Sequence, residues 1–354
     1  MSHLFEPYTL RGITFRNRIG MSPMCQYSAE DGFANEWHFV HLGSRAVGGA
    51  GLIIAEATAV EARGRISPQD IGIWSDDHIA PLKRIADFIT EQGAVAGIQL
   101  AHAGRKASSY RPWAGKSGFV PHEEGGWDVV APSNLSFNPA NQPPHQLTLD
   151  EIDVIRESFV VGAKRAIQAG FTFLELHAAH GYLLNAFLSP LSNQRTDQYG
   201  GSFENRARLL TEIATETRAI MPDTSVLAVR FSAVDWVEGG WTIEDSVKLA
   251  QALKPLGVDI IDASSGGLDI RQQIDIKPLY QVPFASQIRH EAQIATAAVG
   301  LITDAQQADQ IIQTGDADLI LLGRKLLSNP YWAIEAAQAL GQPAPIPNQY
   351  LRGF

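Results

Sequence analysis

A single cysteine, Cys25, stands in 354 residues, so no disulfide can form within the chain and no cysteine-ligated iron–sulfur cluster can be built from it alone. Positive charge is also scarce. The 28 Lys and Arg against 38 Asp and Glu leave a formal net charge of -10, and no dense basic stripe offsets it, which argues against nucleic acid as a partner. No apolar run is long enough to span a bilayer, and the segment from Met1 to Pro7 lacks the basic start and apolar core of a signal peptide. The expectations are therefore no membrane partner and a cytoplasmic location. What is present, 45% hydrophobic and 19% charged residues, suits a chain that buries a large core.

Apolar, β-branched runs recur at residues 19–24, 51–60, 95–101, 171–176, 226–231, 258–263, 294–302 and 317–322, each followed by a helix-like segment. Nearly continuous apolar runs suit parallel strands covered on both faces. Eight of them alternating with helices predict one α/β domain over residues 1–354, a single (β/α)8 TIM barrel. Thr148 with Glu151, and Thr242 with Asp245, have capping-box spacing before helices expected at 152–169 and 246–256, which Gly170 and Gly257 would stop. Two stretches break the rhythm. Residues 8–17 carry an Arg11-Gly12 turn that predicts a hairpin closing the barrel bottom, and residues 103–145 form a long Gly/Pro/Trp-rich insert after the third strand, the length of a lid or binding loop.

The run His177-Ala178-Ala179-His180-Gly181-Tyr182 follows the fourth apolar run. In a regular strand, residues three apart face opposite sides, so His177 and His180 can converge only where the strand breaks. Barrels of this kind place their chemistry at such strand ends. The other expected strand ends carry Pro23, Met24, Cys25, Gln26 and Tyr27; Glu56, Ala57 and Thr58; Gln99 and His102; Arg230; Ser264 to Gly267; Gly300; and Gly323 with Arg324. Gly300, Gly323 and Arg324, on the last two strands, suit a phosphate held by backbone amides and a guanidinium fork. Gln99 and Arg230 suit an electron-rich ring that becomes anionic on reduction, although Arg230 is equally open to a buried ion pair with Glu175 or Asp262. The imidazoles leave three roles open: a zinc pair completed by His102, structural side chains, or two donors aimed at one substrate oxygen. The donor role fits best, because Tyr182 adds a hydroxyl suited to protonating a carbanion.

In this order, Pro23 to Tyr27, Gly97 to Arg105, His177 to Tyr182, Ser189 to Asn193 and Arg195 to Ser202 resemble the Old Yellow Enzyme family of FMN-dependent ene-reductases, in particular its thermophilic-like subclass with the bacterial xenobiotic reductases. The resemblance implies FMN contacts from Pro23, Met24, Cys25, Ala57, Gln99, Arg230, Gly300, Gly323 and Arg324. It implies substrate contacts from Tyr27, His177, His180 and Tyr182, with NADPH or NADH as reductant and an α,β-unsaturated carbonyl or similar electron-poor alkene as acceptor. Cys25 would tune the flavin and not act as a nucleophile. The C-terminal run from Gln349 to Phe354 resembles a subclass tail whose arginine, here Arg352, reaches a neighbouring subunit's site, which implies a homodimer or larger homo-oligomer. Two positions depart from the pattern: Val299 stands where some xenobiotic reductases have tryptophan, and Phe354 replaces the tryptophan usual in the tail. The contrasting reading from the residues alone is a metal-dependent barrel lyase or hydrolase using His177, His180 and His102.

Overall fold

The computed structural model describes residues 3–353. The chain opens with an antiparallel hairpin, β1 (Tyr8–Leu10) and β2 (Ile13–Phe15), whose turn places Arg11 at φ +51. Barrel strands β3 (Ile19–Met21), β4 (Leu52–Ala59) and β5 (Val95–Ala101) follow. A small parallel pair in the insert, β6 (Val130–Ala131) and β7 (His145–Gln146), comes before β8 (Phe173–Ala178), β9 (Val226–Ser232), β10 (Ile260–Ser264), β11 (Ala295–Ala298) and β12 (Leu319–Leu322). Strands β3, β4, β5 and β8 to β12 are all parallel and close on themselves, β12 pairing with β3. This is the expected (β/α)8 barrel.

Helix α1 (Glu36–Val47) connects β3 to β4, α2 (Ile79–Glu91) connects β4 to β5, and α3 (Leu149–Gln168) leads into β8. Next come α4 (Leu183–Leu188), α5 (Phe203–Ile220), α6 (Ile243–Leu253), α7 (Val282–Ala292), α8 (Ala305–Gln313), α9 (Arg324–Ser328) and α10 (Trp332–Ala339). Reciprocal caps form at Thr148 with Glu151 and at Thr242 with Asp245, satisfying amides that the first helical turn leaves free. Most boundaries shift by one to three residues from expectation, and three of the shifts have a visible cause or consequence. Helix α6 yields at Leu253 to a 3-10 turn containing Pro255, the first strand stops at Met21, and β11 is only four residues long. The last follows from the backbone, because Gly300 and Leu301 both turn into the left-handed region at φ +125 and +52, where no strand continues.

The period of two along each strand sorts side chains into layers. At the bottom, Phe15 of the hairpin packs on Phe173, Leu52, Ile54, Val226, Ile260 and Leu319, an apolar plug. Burying each such side chain stabilises the fold by roughly 1.5–3 kcal/mol. Alternate residues Leu174, Leu176, Leu227, Val229 and Ile261 face outward into the core shared with the helices. One step above the plug the interior turns polar, with Gln99, Glu175, Arg230 and Asp262 all buried. His177 and Ser264 come next, at the C-terminal rim.

Candidate active site

His177 is the penultimate residue of β8, and its Nδ1 accepts a hydrogen bond of 3.3 Å from the Ala179 amide. That assigns the ring proton to Nε2, which no other described residue engages. Three residues on, the chain breaks sharply, with His180 at φ +60. The His180 amide donates to Ser232 Oγ at 2.9 Å, and its carbonyl accepts from Lys106 Nζ at 2.8 Å. Lys106 also donates to the Gly267 carbonyl at 2.9 Å, tying the turn to the loop after β10. A side chain at Gly267 would put its Cβ 2.6 Å from His180 Cα, so only glycine permits this approach.

The break brings the rings together as expected. The His177 and His180 centroids lie 5.2 Å apart, and Tyr182 lies 5.0 Å from His177. One detail differs from two free donors: His180 Nε2 is 2.7 Å from Ser264 Oγ, so only His177 presents an unengaged Nε2–H. Burial, reinforced by the positive charge of Arg230, holds both imidazoles well below the usual histidine range, so they are neutral donors and not acids. Burial pushes the Tyr182 phenol well up, helped by the nearby Cys25 and Tyr27, so its proton stays in place.

The other expected residues gather around this cluster. Cys25 lies by the Ala57 amide, and Ala57 pairs in register with Gln99 across β4 and β5. Burial and the carboxylates of Asp70 and Glu56 push the Cys25 thiol well up, so it stays protonated, in keeping with a non-nucleophilic role. Tyr27, at φ +49, sits against Cys25 and packs edge-on against Trp113 of the insert at 5.7 Å. Met24 Sδ lies 3.6 Å from the place a Gly323 Cβ would occupy, joining the ends of β3 and β12. Pro23 precedes it on the same strand exit. Arg352 sits exposed in the turn Asn348–Gly353 and lines neither cavity near the imidazoles, while Phe354 lies outside the described residues.

A cavity of about 390 Å³ opens beside His180, with Arg230, Gly300, Leu301, Gly323 and Arg324 among its walls. FMN fits these residues. Arg324, at the rim, has no carboxylate partner among the described residues and is free to pair with an anion, and Gly300 lines the same cavity. At the inner end, Arg230 donates to Ser22 Oγ at 3.0 Å through Nη1 and leaves Nη2 without a protein partner. The buried-pair reading of Arg230 holds too, since its Nε lies 3.1 Å from Asp262 Oδ2. Gln99 gives its amide N–H to Glu175 Oε1 at 2.8 Å, which fixes the orientation of the amide.

The metal-dependent alternative does not match this geometry. His102 is held by Glu61 at 3.2 Å, accepts from the Gly104 amide, and does not join His177 and His180. Sequence reasoning missed Lys106, Ser232 and Ser264 as supports of the imidazole pair. Ser264 was visible in principle, because Ile260, Asp262 and Ser264 share one strand face; the Lys106 contact joins residues 74 apart and leaves no local signal.

A parallel barrel with a cationic end at its last strands and neutral donors over its mouth defines a flavin-dependent oxidoreductase of the TIM-barrel class. Its family is shown by direct comparison: the chain belongs to the NADH:flavin oxidoreductase / NADH oxidase family, whose model matches residues 3–342. It is 49% identical over 353 residues to an NADPH dehydrogenase of Geobacillus sp. (strain WCH70), covering 99% of this chain and 98% of that one. It is 46% identical over 353 residues to the NADPH dehydrogenase of Bacillus subtilis (strain 168), covering 99% of both. Among solved structures it superposes on the Old Yellow Enzyme homologue from Zymomonas mobilis with a TM-score of 0.77 at 27% identity, over 96% of this chain and 93% of that one. Morphinone reductase gives 0.79 at 28% identity, over 97% and 91%. The protein is an oxidoreductase of Old Yellow Enzyme type that uses FMN and NADH or NADPH. No described helix is long and apolar enough to cross a membrane.

Proposed function

We propose that this protein reduces the C=C bond of α,β-unsaturated carbonyls and related electron-poor alkenes, oxidising NADPH or NADH in a first half-reaction at the same site. The observation that carries the reading is the neutral His177, with its proton fixed on Nε2, 5.0 Å from the protonated Tyr182. FMN would supply the hydride-carrying chemistry that links nicotinamide oxidation to alkene reduction. Gln99 and Arg230 would hold its ring, Pro23, Met24, Cys25 and Ala57 would line it, and Gly300, Gly323 and Arg324 would take its phosphate.

The work of the chain is to orient and polarise. His177 donates from Nε2 to the carbonyl oxygen of the alkene, lowering the cost of the enolate charge that appears there. His180 joins it by presenting Nδ1–H while Ser264 donates to Nε2, or by releasing Ser264. Tyr182 supplies the proton to the α-carbon, and Tyr27 walls the substrate from the far side. Arg352 completes the pocket of a neighbouring subunit in a homodimer or larger assembly. The purified protein should absorb near about 450 nm as oxidised flavins do, bleach anaerobically with NADPH, and recover its colour when a cyclic enone or maleimide is added. Recovery with oxygen but with none of these alkenes overturns the proposal.

A further inference from the structure

A second cavity, of about 350 Å³, opens at the mouth of the site where the insert folds over the barrel. Tyr182 belongs to both, facing His177 on one side and lining this cavity on the other. Lys106 also belongs to both, since it holds the His180 turn and lines the cavity. The opposite wall is the segment of the insert that carries Tyr110, Arg111 and Lys116. Its tip, Trp113, is 60% exposed and rests on Tyr27.

The charge of this cavity is at odds with the rest of the molecule. The chain carries a net -10, yet Arg105, Lys106, Arg111 and Lys116 line the cavity and no Asp or Glu does. Two of these cations have structural work. Arg105 donates to the Leu135 and Leu268 carbonyls, and Lys106 to those of His180 and Gly267. Lys116 pairs at the surface with Glu124. The Arg111 guanidinium has no acidic partner and no hydrogen bond among the described residues, only the face of Trp113 at 5.8 Å. A low-dielectric cleft of one sign focuses its field on an incoming ligand of the opposite sign. The volume suits one compact group of drug-fragment size, within roughly the range of small-molecule sites.

We propose that this cavity takes the adenosine phosphates of the nicotinamide coenzyme, with Arg111 and Lys116 facing them, while the nicotinamide lies at the imidazole pair. The inference rests on the proposed use of one pocket for both half-reactions. A 2′-phosphate adds between about one and two negative charges, so the same residues would favour NADPH over NADH. Tyr110 and Phe137 supply flat faces for the adenine ring, and Asn138 and Asn141 supply hydrogen-bonding groups to the ribose.

The test uses the holoenzyme with NADPH, NADH and reduced nicotinamide mononucleotide, which has no adenosine phosphates. Arg111→Ala should raise KM for NADPH by about tenfold, the scale of one lost phosphate contact, and KM for NADH by less. KM for the mononucleotide and for a neutral enone should stay within about twofold. Arg111→Lys should restore most of the loss, and Arg111→Glu should deepen it. Adenosine 2′,5′-bisphosphate, titrated by calorimetry or by tryptophan fluorescence, should bind the wild type and lose affinity in Arg111→Ala and Lys116→Ala. Equal effects on NADPH and the mononucleotide, or no effect on either, overturn the proposal. So does a rise in KM confined to carboxylate-bearing alkenes, which would assign the cations to an acidic substrate. A wild-type enzyme that oxidises NADPH but reduces no alkene would instead overturn the proposed function and leave this subsite standing.

Discussion

Asp262→Asn and Glu175→Gln should have very different costs, although both carboxyls lie in one buried layer of the barrel. Asp262 faces Arg230 with Oδ2 3.1 Å from Nε, and their side chains are 2% and 8% exposed. Removing the negative charge strips the buried guanidinium of its paired carboxylate and leaves only the otherwise protonated Glu175 to ionise against it, so the cost should approach the roughly 3–5 kcal/mol of a broken buried pair. Glu175 has no cation of its own; Gln99 donates to its Oε1 at 2.8 Å, and Oε2 is buried without a partner. Burial first, and then the charge of Asp262, push the Glu175 carboxyl well up, so it is protonated at neutral pH. Gln keeps its shape and the oxygen that Gln99 needs, so the substitution should cost less than about 1 kcal/mol.

The pH dependence separates the two further. Above the ordinary carboxylate range the unfolded chain has lost the Glu175 proton while the folded chain keeps it, so stability from this group falls as pH rises towards its raised value. Glu175→Gln removes that slope. The variant should therefore gain on the wild type as pH rises from about 5 towards 8, by at most about 1.4 kcal/mol per unit. Urea unfolding of the FMN-free and FMN-loaded proteins across this range measures both effects. Equal costs for the two variants, or a Glu175→Gln difference that does not move with pH, would refute the charge assignment.

Tyr182→Phe should slow alkene reduction more than oxidation of NADPH, since only the former needs its proton; stopped-flow measurement of the two half-reactions decides, and an equal effect demotes Tyr182 to packing. The C-terminal run should act across a subunit boundary, because Leu351 is 57% exposed and Arg352 lines neither cavity near the imidazoles of its own chain while Tyr350 docks on Tyr331. The protein should run as at least a dimer, and deletion of residues 351–354 should raise KM for enones or nicotinamide while the barrel stays folded and yellow. A fully active monomer, or a truncated protein with unchanged kinetics, contradicts this.

The barrel was legible because its strands are apolar on both faces, and the period of two does more than mark them. Phe173, Glu175 and His177 fall on one face of β8, as do Ala228 and Arg230 on β9 and Ile260, Asp262 and Ser264 on β10, so the rise from apolar plug to polar layer to rim is written along each strand. The convergence of the imidazoles followed from the need for a break, which the structure places at the left-handed His180. Contacts between distant segments were not legible. Ser264 on His180, Lys106 on two carbonyls and the choice of Asp262 over Glu175 by Arg230 depend on how neighbouring strands stagger, which no single stretch records. The insert stood out by its length alone, while the cationic wall it forms needed the fold to bring Arg111 and Lys116 opposite Tyr182.

The role of the neutral imidazoles is tested most directly by anaerobic stopped flow on the pre-reduced enzyme, comparing wild type with His177→Ala and with the His177→Ala, His180→Ala pair. FMN should remain bound in all three, while reoxidation by a cyclic enone slows by an amount equivalent to about 2–4 kcal/mol for loss of His177 and by more for the pair. Phenol binding to the oxidised enzyme should weaken in parallel. Reoxidation at the wild-type rate in the double variant would mean that these imidazoles do not polarise the substrate carbonyl.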